Sequence, residues 1–344
     1  MKFRCFAVMR TLYMDELMLM DRSRILHEAL EQCGWENADQ VVQRVLRLDL
    51  GLPAEDEFAV ICSWLGKCSL VHKLDQQQIP KSSKDTFQVP DLLAVFNTDN
   101  NQYRVLVEVK TKQDENLTLR AKDREKLIKY AELLGVPILF AWKRHSIWTL
   151  FDISLFEKFN KNYRVNFFSA LSNSLMSLLA GDVHYQLGDG VGLHLKLRKD
   201  EIHESDGDTE TWKTRIEDVY LQDYNGDKNY TFSPRTLSIL NTCELDEDTE
   251  IDDETIRQSF TVRSDVGNVA HRAIETLLKL KKSDAENNIH WRSLLVDESP
   301  LHSISNFQNA LDEALSQKLV KYILIQQPQK YPSFIKDNDK AGGN

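Results

Sequence analysis

Two apolar runs joined by a short polar stretch constrain this chain more than anything else in it. "PDLLAVF" (90–96) and "QYRVLVEVKT" (102–111) are rich in Val, Leu and aromatic residues, and "NTDNN" (97–101) between them has turn composition. The pattern predicts a β-hairpin. Three charged residues interrupt it: Asp91 where the first run begins, and Glu108 and Lys110 inside the second. Strand residues alternate between faces, so Glu108 and Lys110 share one face with Leu106, while Val105, Val107 and Val109 line the other. With the hairpin centred near residue 99 or 100, Asp91 falls opposite Val107 or Glu108. Directly opposed residues have Cβ atoms roughly 4.5–5.5 Å apart. Two carboxylates at that spacing repel each other unless a cation lies between them. A hard divalent ion with oxygen ligands suits the pair, Mg²⁺ first and Mn²⁺ as a substitute. A lysine two residues on can orient an attacking water or stabilise charge developing at phosphorus.

The elements around the hairpin read as one α/β (α+β) unit. "LPAEDEFAVICSWLG" predicts a helix in which Phe58, Ile61, Cys62 and Leu65 form one stripe and Gly66 stops the turn. "CSLVHKL" (68–74) predicts a strand, and residues 75–88 a loop. "AKDREKLIKYAELLG" predicts a second helix with Leu127, Tyr130, Ala131 and Leu134 inward and Gly135 as its cap. "VPILFAWK" and "HSIWTLFDI" predict two more strands. The order over 53–153 is α-β-β-β-α-β-β. Short amphipathic helices are predicted at 24–33 and 38–48.

Pro90-Asp91 followed by Glu108-Val109-Lys110 resembles the signature of the PD-(D/E)xK nuclease superfamily, which includes restriction endonucleases and Holliday junction resolvases. The resemblance implies a restriction-endonuclease-like αβββαβ core with a mixed central sheet flanked by helices. It implies that Asp91 and Glu108 bind the metal together with the carbonyl of Val109, and that Lys110 assists the water. Members of that superfamily also use a Glu from the first core helix, a role that falls on Glu57, with Glu55 and Asp56 as rivals. Some branches carry Gln-x-x-x-Tyr on the second helix; here Lys126 and Tyr130 occupy that spacing, so the Tyr matches and the Gln does not. Lys112, Arg120, Lys122, Arg124, Lys126 and Tyr130 become candidates for contact with nucleic acid. The plainer readings are a core tyrosine for Tyr130, a solvated helix face for the basic set and a helix-terminal charge for Glu57. The reaction implied is hydrolysis of phosphodiester bonds by in-line attack of water, in a DNA endonuclease of bacterial restriction or anti-phage defence type. RNA cleavage, and a non-catalytic adaptor in a defence or recombination complex, are the alternatives. Homodimers are implied where both strands are cut.

Composition reads as globular and soluble, and the net charge by itself argues against a nucleic-acid binder. The net charge is −10, but residues 200–254 hold 18 Asp/Glu against 4 Lys/Arg, and residues 104–144 hold ten Lys/Arg against six Asp/Glu. An acidic and a basic region therefore coexist. Within the acidic stretch "DYNGDKN" fails as a calcium loop, because the positions of its glycine and closing Glu are Lys228 and Pro234. Five cysteines without a Cys-x-x-Cys pair, and no long apolar segment, point to the cytoplasm and no membrane. No Gly-x-x-x-x-Gly-Lys-Ser/Thr occurs, so an NTPase or helicase partner would be separate.

The division expected along the chain is an N-terminal helical segment (1–49), the nuclease core (50–155), a helix plus a β-rich accessory region (156–240), an acidic linker (241–256), a helical module compatible with a winged helix (257–335) and a disordered tail (336–344). "FFSALSNSLMSLLAGD" (167–182) predicts one helix.

Overall fold

The computed structural model describes residues 54–340, apart from 76–77, 79, 207–208, 264–266 and 284–306. The chain divides into two compact units, Met1–Glu55 and Asp56–Asn344. The helices expected at 24–33 and 38–48 lie outside the described residues. The second unit is built around one mixed β-sheet.

Helix α1 (54–65) precedes strands β1 (Cys68–Lys73), β2 (Leu92–Asn97) and β3 (Gln102–Thr111). A short strand β4 (Asn116–Arg120) and helix α2 (Ala121–Leu134) lead to β5 (Ile138–Arg144) and β6 (Ile147–Asp152). The central sheet runs β1-β2-β3-β5-β6. Its β3/β5 pair is parallel and the other pairs are antiparallel, so the sheet is mixed. The αβββαβ order and the mixed sheet flanked by helices are those expected. Gly135 ends α2 with φ 65°, and its N–H bonds the carbonyls of Ala131 and Glu132, the left-handed stop its position predicts.

Each face of the sheet is covered. Leu106, Ile138, Phe140, Trp142 and Phe151 form one buried cluster with Leu127 and Ala131 of α2 and Leu117 and Leu119 of β4. Val105, Val107, Leu139 and Ala141 face the other way and are fully buried. On that second face, Phe58 of α1 meets Trp148 at 5.0 Å between ring centroids.

Several segments depart from expectation. Strands β4, β7 (Glu157–Phe159) and β8 (Asn162–Asn166) form a small sheet in the order β4-β8-β7 that the sequence reading does not contain. The helix expected over 167–182 is α3 (Phe167–Ser172), then a break, then a wide turn over Met176–Ala180. The break has a polar cause: Ser174 Oγ accepts from the N–H of both Leu150 and Met176, and Asn173 Nδ2 bonds the Ser169 carbonyl.

Beyond the core come β9 (His184–Leu187), β10 (Gly192–Asp206), β11 (Thr209–Gln222), β12 (Lys228–Asn229), α4 (Pro234–Leu240), β13 (Leu245–Ile251) and β14 (Thr255–Val262). The expected acidic linker is thus largely a strand: β13 pairs with β14 as the edge of the five-stranded sheet β12-β11-β10-β14-β13, and its acidic side chains are exposed to water. The C-terminal segment adds β15 (Gly267–Val269), α5 (Ala270–Ser283), α6 (Phe307–Ser316) and β16 (Val320–Leu324). Both β15 and β16 pair with β9 rather than with each other, so this segment shares a sheet with the accessory region instead of forming a winged hairpin of its own.

The tail expected to be disordered is anchored as far as it is described. Asp339 accepts hydrogen bonds from Tyr103 Oη, Asn101 Nδ2, Thr98 Oγ1 and Asn100 Nδ2 at 2.5–3.2 Å. It thereby clamps the β2–β3 turn. Burial raises its pKa, but these four bonds outweigh burial and hold the carboxyl below its usual range. Burial and the bond to Asp339 push the Tyr103 hydroxyl up to about 12. Because the Asp339 pKa is depressed, the clamp contributes stability above the ordinary carboxylate pKa and loses it as pH falls through the folded value. Asp339→Ala takes the acceptor from the buried Tyr103 O–H, whose oxygen keeps the Lys336 N–H, and is expected to cost about 1–2 kcal/mol, a fall of a few degrees in Tm at pH 7 that shrinks toward pH 3, checked by thermal denaturation.

Candidate active site

The β2–β3 register decides between the two pairings the sequence leaves open. It runs from Asn97↔Gln102 to Leu92↔Val107, and continued by one pair it sets Asp91 opposite Glu108. Asp91 does more than lie opposite: its Oδ2 accepts the backbone N–H of Val109 at 2.7 Å. That bond extends the hairpin past its last backbone pair and fixes the carboxylate at the strand edge. Glu108 is only 3% exposed, and its Oε1 accepts from Lys110 Nζ at 2.6 Å and from Gln88 Nε2 at 3.4 Å. Lys110 lies beside Trp142 in the parallel β3/β5 register, and Trp142 Nε1 donates to the Lys112 carbonyl at 2.9 Å, which ties down the chain just beyond the lysine.

Two carboxylates and one ammonium therefore meet on a sheet face otherwise built from Leu106, Phe140 and Trp142. Burial raises the Asp91 pKa, while Lys110, the Val109 N–H and Lys73 act against the rise. The donor set is oxygen only, and Mg²⁺ commonly takes one or two protein carboxylates and keeps several waters. Asp91 and Glu108 fit that requirement. Among the described residues no group of three or more His, Cys, Asp or Glu could hold a metal.

Glu57 is not brought to this pair. Its Oε1 accepts from Lys143 Nζ at 2.5 Å and from Trp148 Nε1 at 3.1 Å. Lys143 pairs laterally with Thr111 and Trp148, one residue out of phase with Lys110, and so projects from the opposite face of the sheet. Glu275 completes this second cluster, 3.3 Å from Lys143 Nζ. Beside it, His271 Nε2 accepts the Trp148 N–H at 3.2 Å, so its Nδ1 carries the proton held 2.7 Å from Asp182. Asp56 lies 3.8 Å from Lys73, and Glu55 belongs to the first unit.

The basic candidates scatter. Arg120 and Lys122 are not gathered at the site; Arg120 is exposed and bonded to Asp123 at 2.6 Å, and Lys122 is exposed on α2. Lys112 lies 3.0 Å from Asp114. Arg124 stacks 4.4 Å above the Tyr163 ring. Lys126 bonds the Lys84 carbonyl, and Tyr130 packs against the apolar cluster, as its plainer reading has it. Sequence reasoning does not find Gln88 or Lys143. Gln88 carries no signal in a polar loop. Lys143 does: a lysine ending the apolar run "ILFAW" is as conspicuous as Lys110.

Lys143→Ala leaves Glu57 and Glu275 buried without their shared cation, an expected loss of about 3–5 kcal/mol in chemical denaturation. The raised Asp91 pKa means the folded state favours the neutral carboxyl, so this contribution is present at acid pH and is lost as pH rises from the unfolded value near 3.8 through the folded one. Asp91→Asn in metal-free buffer is accordingly expected to raise Tm at pH 7 and to change it little at pH 3.

A family model of archaeal Holliday junction resolvases (Hjc) matches residues 78–181, less than a third of the chain. The solved structure of Hjc, a Holliday junction resolvase from Archaeoglobus fulgidus, is similar at 21% identity with a TM-score of 0.26, over 32% of this chain and 83% of that one. No curated protein matches. Among the described residues no helix is long and apolar enough to cross a membrane, and Cys62, Cys68 and Cys243 are free thiols. Over residues 78–181, then, the chain is similar to the archaeal Holliday junction resolvase family, and Asp91, Glu108 and Lys110 all lie within that stretch.

Proposed function

We propose that this protein is a metal-dependent nuclease that hydrolyses phosphodiester bonds in DNA. One observation carries the reading. The hairpin sets Asp91 opposite Glu108 on an apolar face, with the Lys110 ammonium 2.6 Å from Glu108. Asp91, Glu108 and the Val109 carbonyl would hold a divalent cation, Mg²⁺ or Mn²⁺ in its place. Bound there, the cation supplies Lewis-acid stabilisation at phosphorus and an acidified water. The protein's own contribution is positional. The Val109 N–H holds the Asp91 carboxylate, Gln88 and Lys110 hold that of Glu108, and the partly exposed ammonium of Lys110 faces charge that grows in the transition state.

The substrate we assign first is branched DNA, in keeping with the match to a junction-resolvase family. A symmetric junction has two strands to cut, and a homodimer supplies two sites for them. In cellular terms the proposal is a restriction or anti-phage defence enzyme, which rests on the superfamily resemblance. The test is digestion of a four-way junction, a plasmid, single-stranded DNA and RNA in Mg²⁺, with EDTA and Lys110→Ala as controls. Metal-dependent cutting of DNA that falls at least about 100-fold in Lys110→Ala is expected. Preference for RNA would move the substrate class. Wild type and Lys110→Ala equally inert on all four would sink the catalytic reading in favour of an adaptor.

A further inference from the structure

We propose that the outer face of the small sheet β4-β8-β7 is a DNA-binding wing of this site, with Phe159 stacking on a base and Arg164 meeting a phosphate. The proposal rests on the nuclease reading and adds to it a surface and its residues.

The register builds that face. Thr118 pairs with Arg164, and Arg164 with Glu157; Arg120 pairs with Asn162, and Asn162 with Phe159. Directly opposed residues share a face. Two rows therefore cross the sheet, Thr118–Arg164–Glu157 and Arg120–Asn162–Phe159. Leu117, Leu119 and Val165 point the other way into the apolar cluster. The inner face explains why the sheet folds; it leaves the outer face unexplained.

Phe159 is 42% exposed, and the Arg164 guanidinium sits 3.5 Å from its ring centroid. A half-exposed phenyl ring at the end of a short hairpin strand contributes little to a core. Beside a stacked guanidinium it forms a flat, cationic platform, which is how proteins hold unpaired bases and their backbone. Asn160 turns the hairpin with φ 55°, leaving Lys158 and Lys161 exposed on either side of the tip. Residues 157–164 thus hold Lys158, Lys161 and Arg164 against Glu157 alone. In a chain of net charge −10 such local positive charge matters, because a polyanion must find an attractive patch on a protein that repels it overall.

The wing is also tied to the site. Lys112 Nζ bonds the Asn116 carbonyl at 3.3 Å where β4 begins, and Trp142 holds the Lys112 carbonyl beside Lys110 in the sheet. A strand bound on the wing is therefore registered against Lys110 by rigid elements. A protein partner fits the face less well, since a single ring among Arg, Asn and Thr offers little apolar area.

The experiment is fluorescence anisotropy of a labelled four-way junction and a labelled single strand, in EDTA so that neither is cut, over a salt series. Cleavage in Mg²⁺ is measured in parallel. Phe159→Ala is expected to weaken single-strand binding roughly 5- to 100-fold, the loss of one base stack. Arg164→Ala is expected to lower the slope of log K against log salt by about 0.7–0.9, one phosphate contact. Arg164→Lys should restore the slope without restoring the stack. Both sites are at the surface, so unchanged circular dichroism is expected, and the Phe159→Ala/Arg164→Ala double variant should show both losses. Variants that bind DNA with wild-type affinity and slope would overturn the wing, and losses confined to an RNA probe would overturn DNA as its occupant. Wing variants that bind normally while Lys110→Ala abolishes cutting would remove this inference alone. Undiminished cutting by Lys110→Ala would remove the nuclease reading instead.

Discussion

The hydrogen bond from the Val109 N–H to the Asp91 carboxylate is the contact on which the candidate site depends. Strand side chains have a period of two, so a slip of one residue between β2 and β3 would exchange the faces of the hairpin. Glu108 and Lys110 would then enter the side packed by α1, and Val107 and Val109 would turn toward α2. The register is held at both ends. At the turn, Asp339 gathers Tyr103, Thr98, Asn100 and Asn101. At the open end, Asp91 reaches across to Val109. The residue that would bind a metal is thus also the residue that closes the ladder. A substitution there acts on geometry and chemistry together.

The central sheet carries buried charge on both faces, and the two clusters differ in access. On one face Glu108 is buried while Lys110 remains partly exposed, so the cluster opens toward solvent at its lysine. On the other, Glu57, Lys143 and Glu275 are nearly enclosed and bonded to one another and to Trp148. Burying ions costs several kcal/mol each unless partners replace water. In the second cluster those partners are all protein groups. The second cluster is thereby a closed structural ion network, which sequence proximity to the motif does not reveal. Glu57 has the right spacing on α1, yet β5 supplies a lysine that captures it.

Legibility tracks the strength of the local signal. The hairpin, α2 with its Gly135 cap, and the strands at 138–144 and 147–152 are readable because apolar periodicity and turn residues agree there. Strands β4, β7 and β8 are three to five residues long and mostly polar, too short for a period to show. Residues 167–182 do not form one helix although their composition is helical throughout. What breaks the helix is Ser174, whose hydroxyl serves the Leu150 amide on a distant strand, a contact no local rule foresees. The tail departs from expectation for the same reason: "KDNDK" is polar enough to be disordered until Asp339 finds four donors more than 200 residues away.

By itself, the sequence determined which charges had no ordinary reason to be where they are. Asp91, Glu108 and Lys110 sit in strands whose other residues are apolar, and alternation alone put Glu108 and Lys110 on one face. Only the tertiary structure decided which acid stood opposite which, because register depends on pairing across space. Only it sent Glu57 to Lys143 and built the outer face of β4-β8-β7 from segments some forty residues apart. Local patterns encode the direction in which a side chain points; which groups meet is set by packing, which no window of sequence contains.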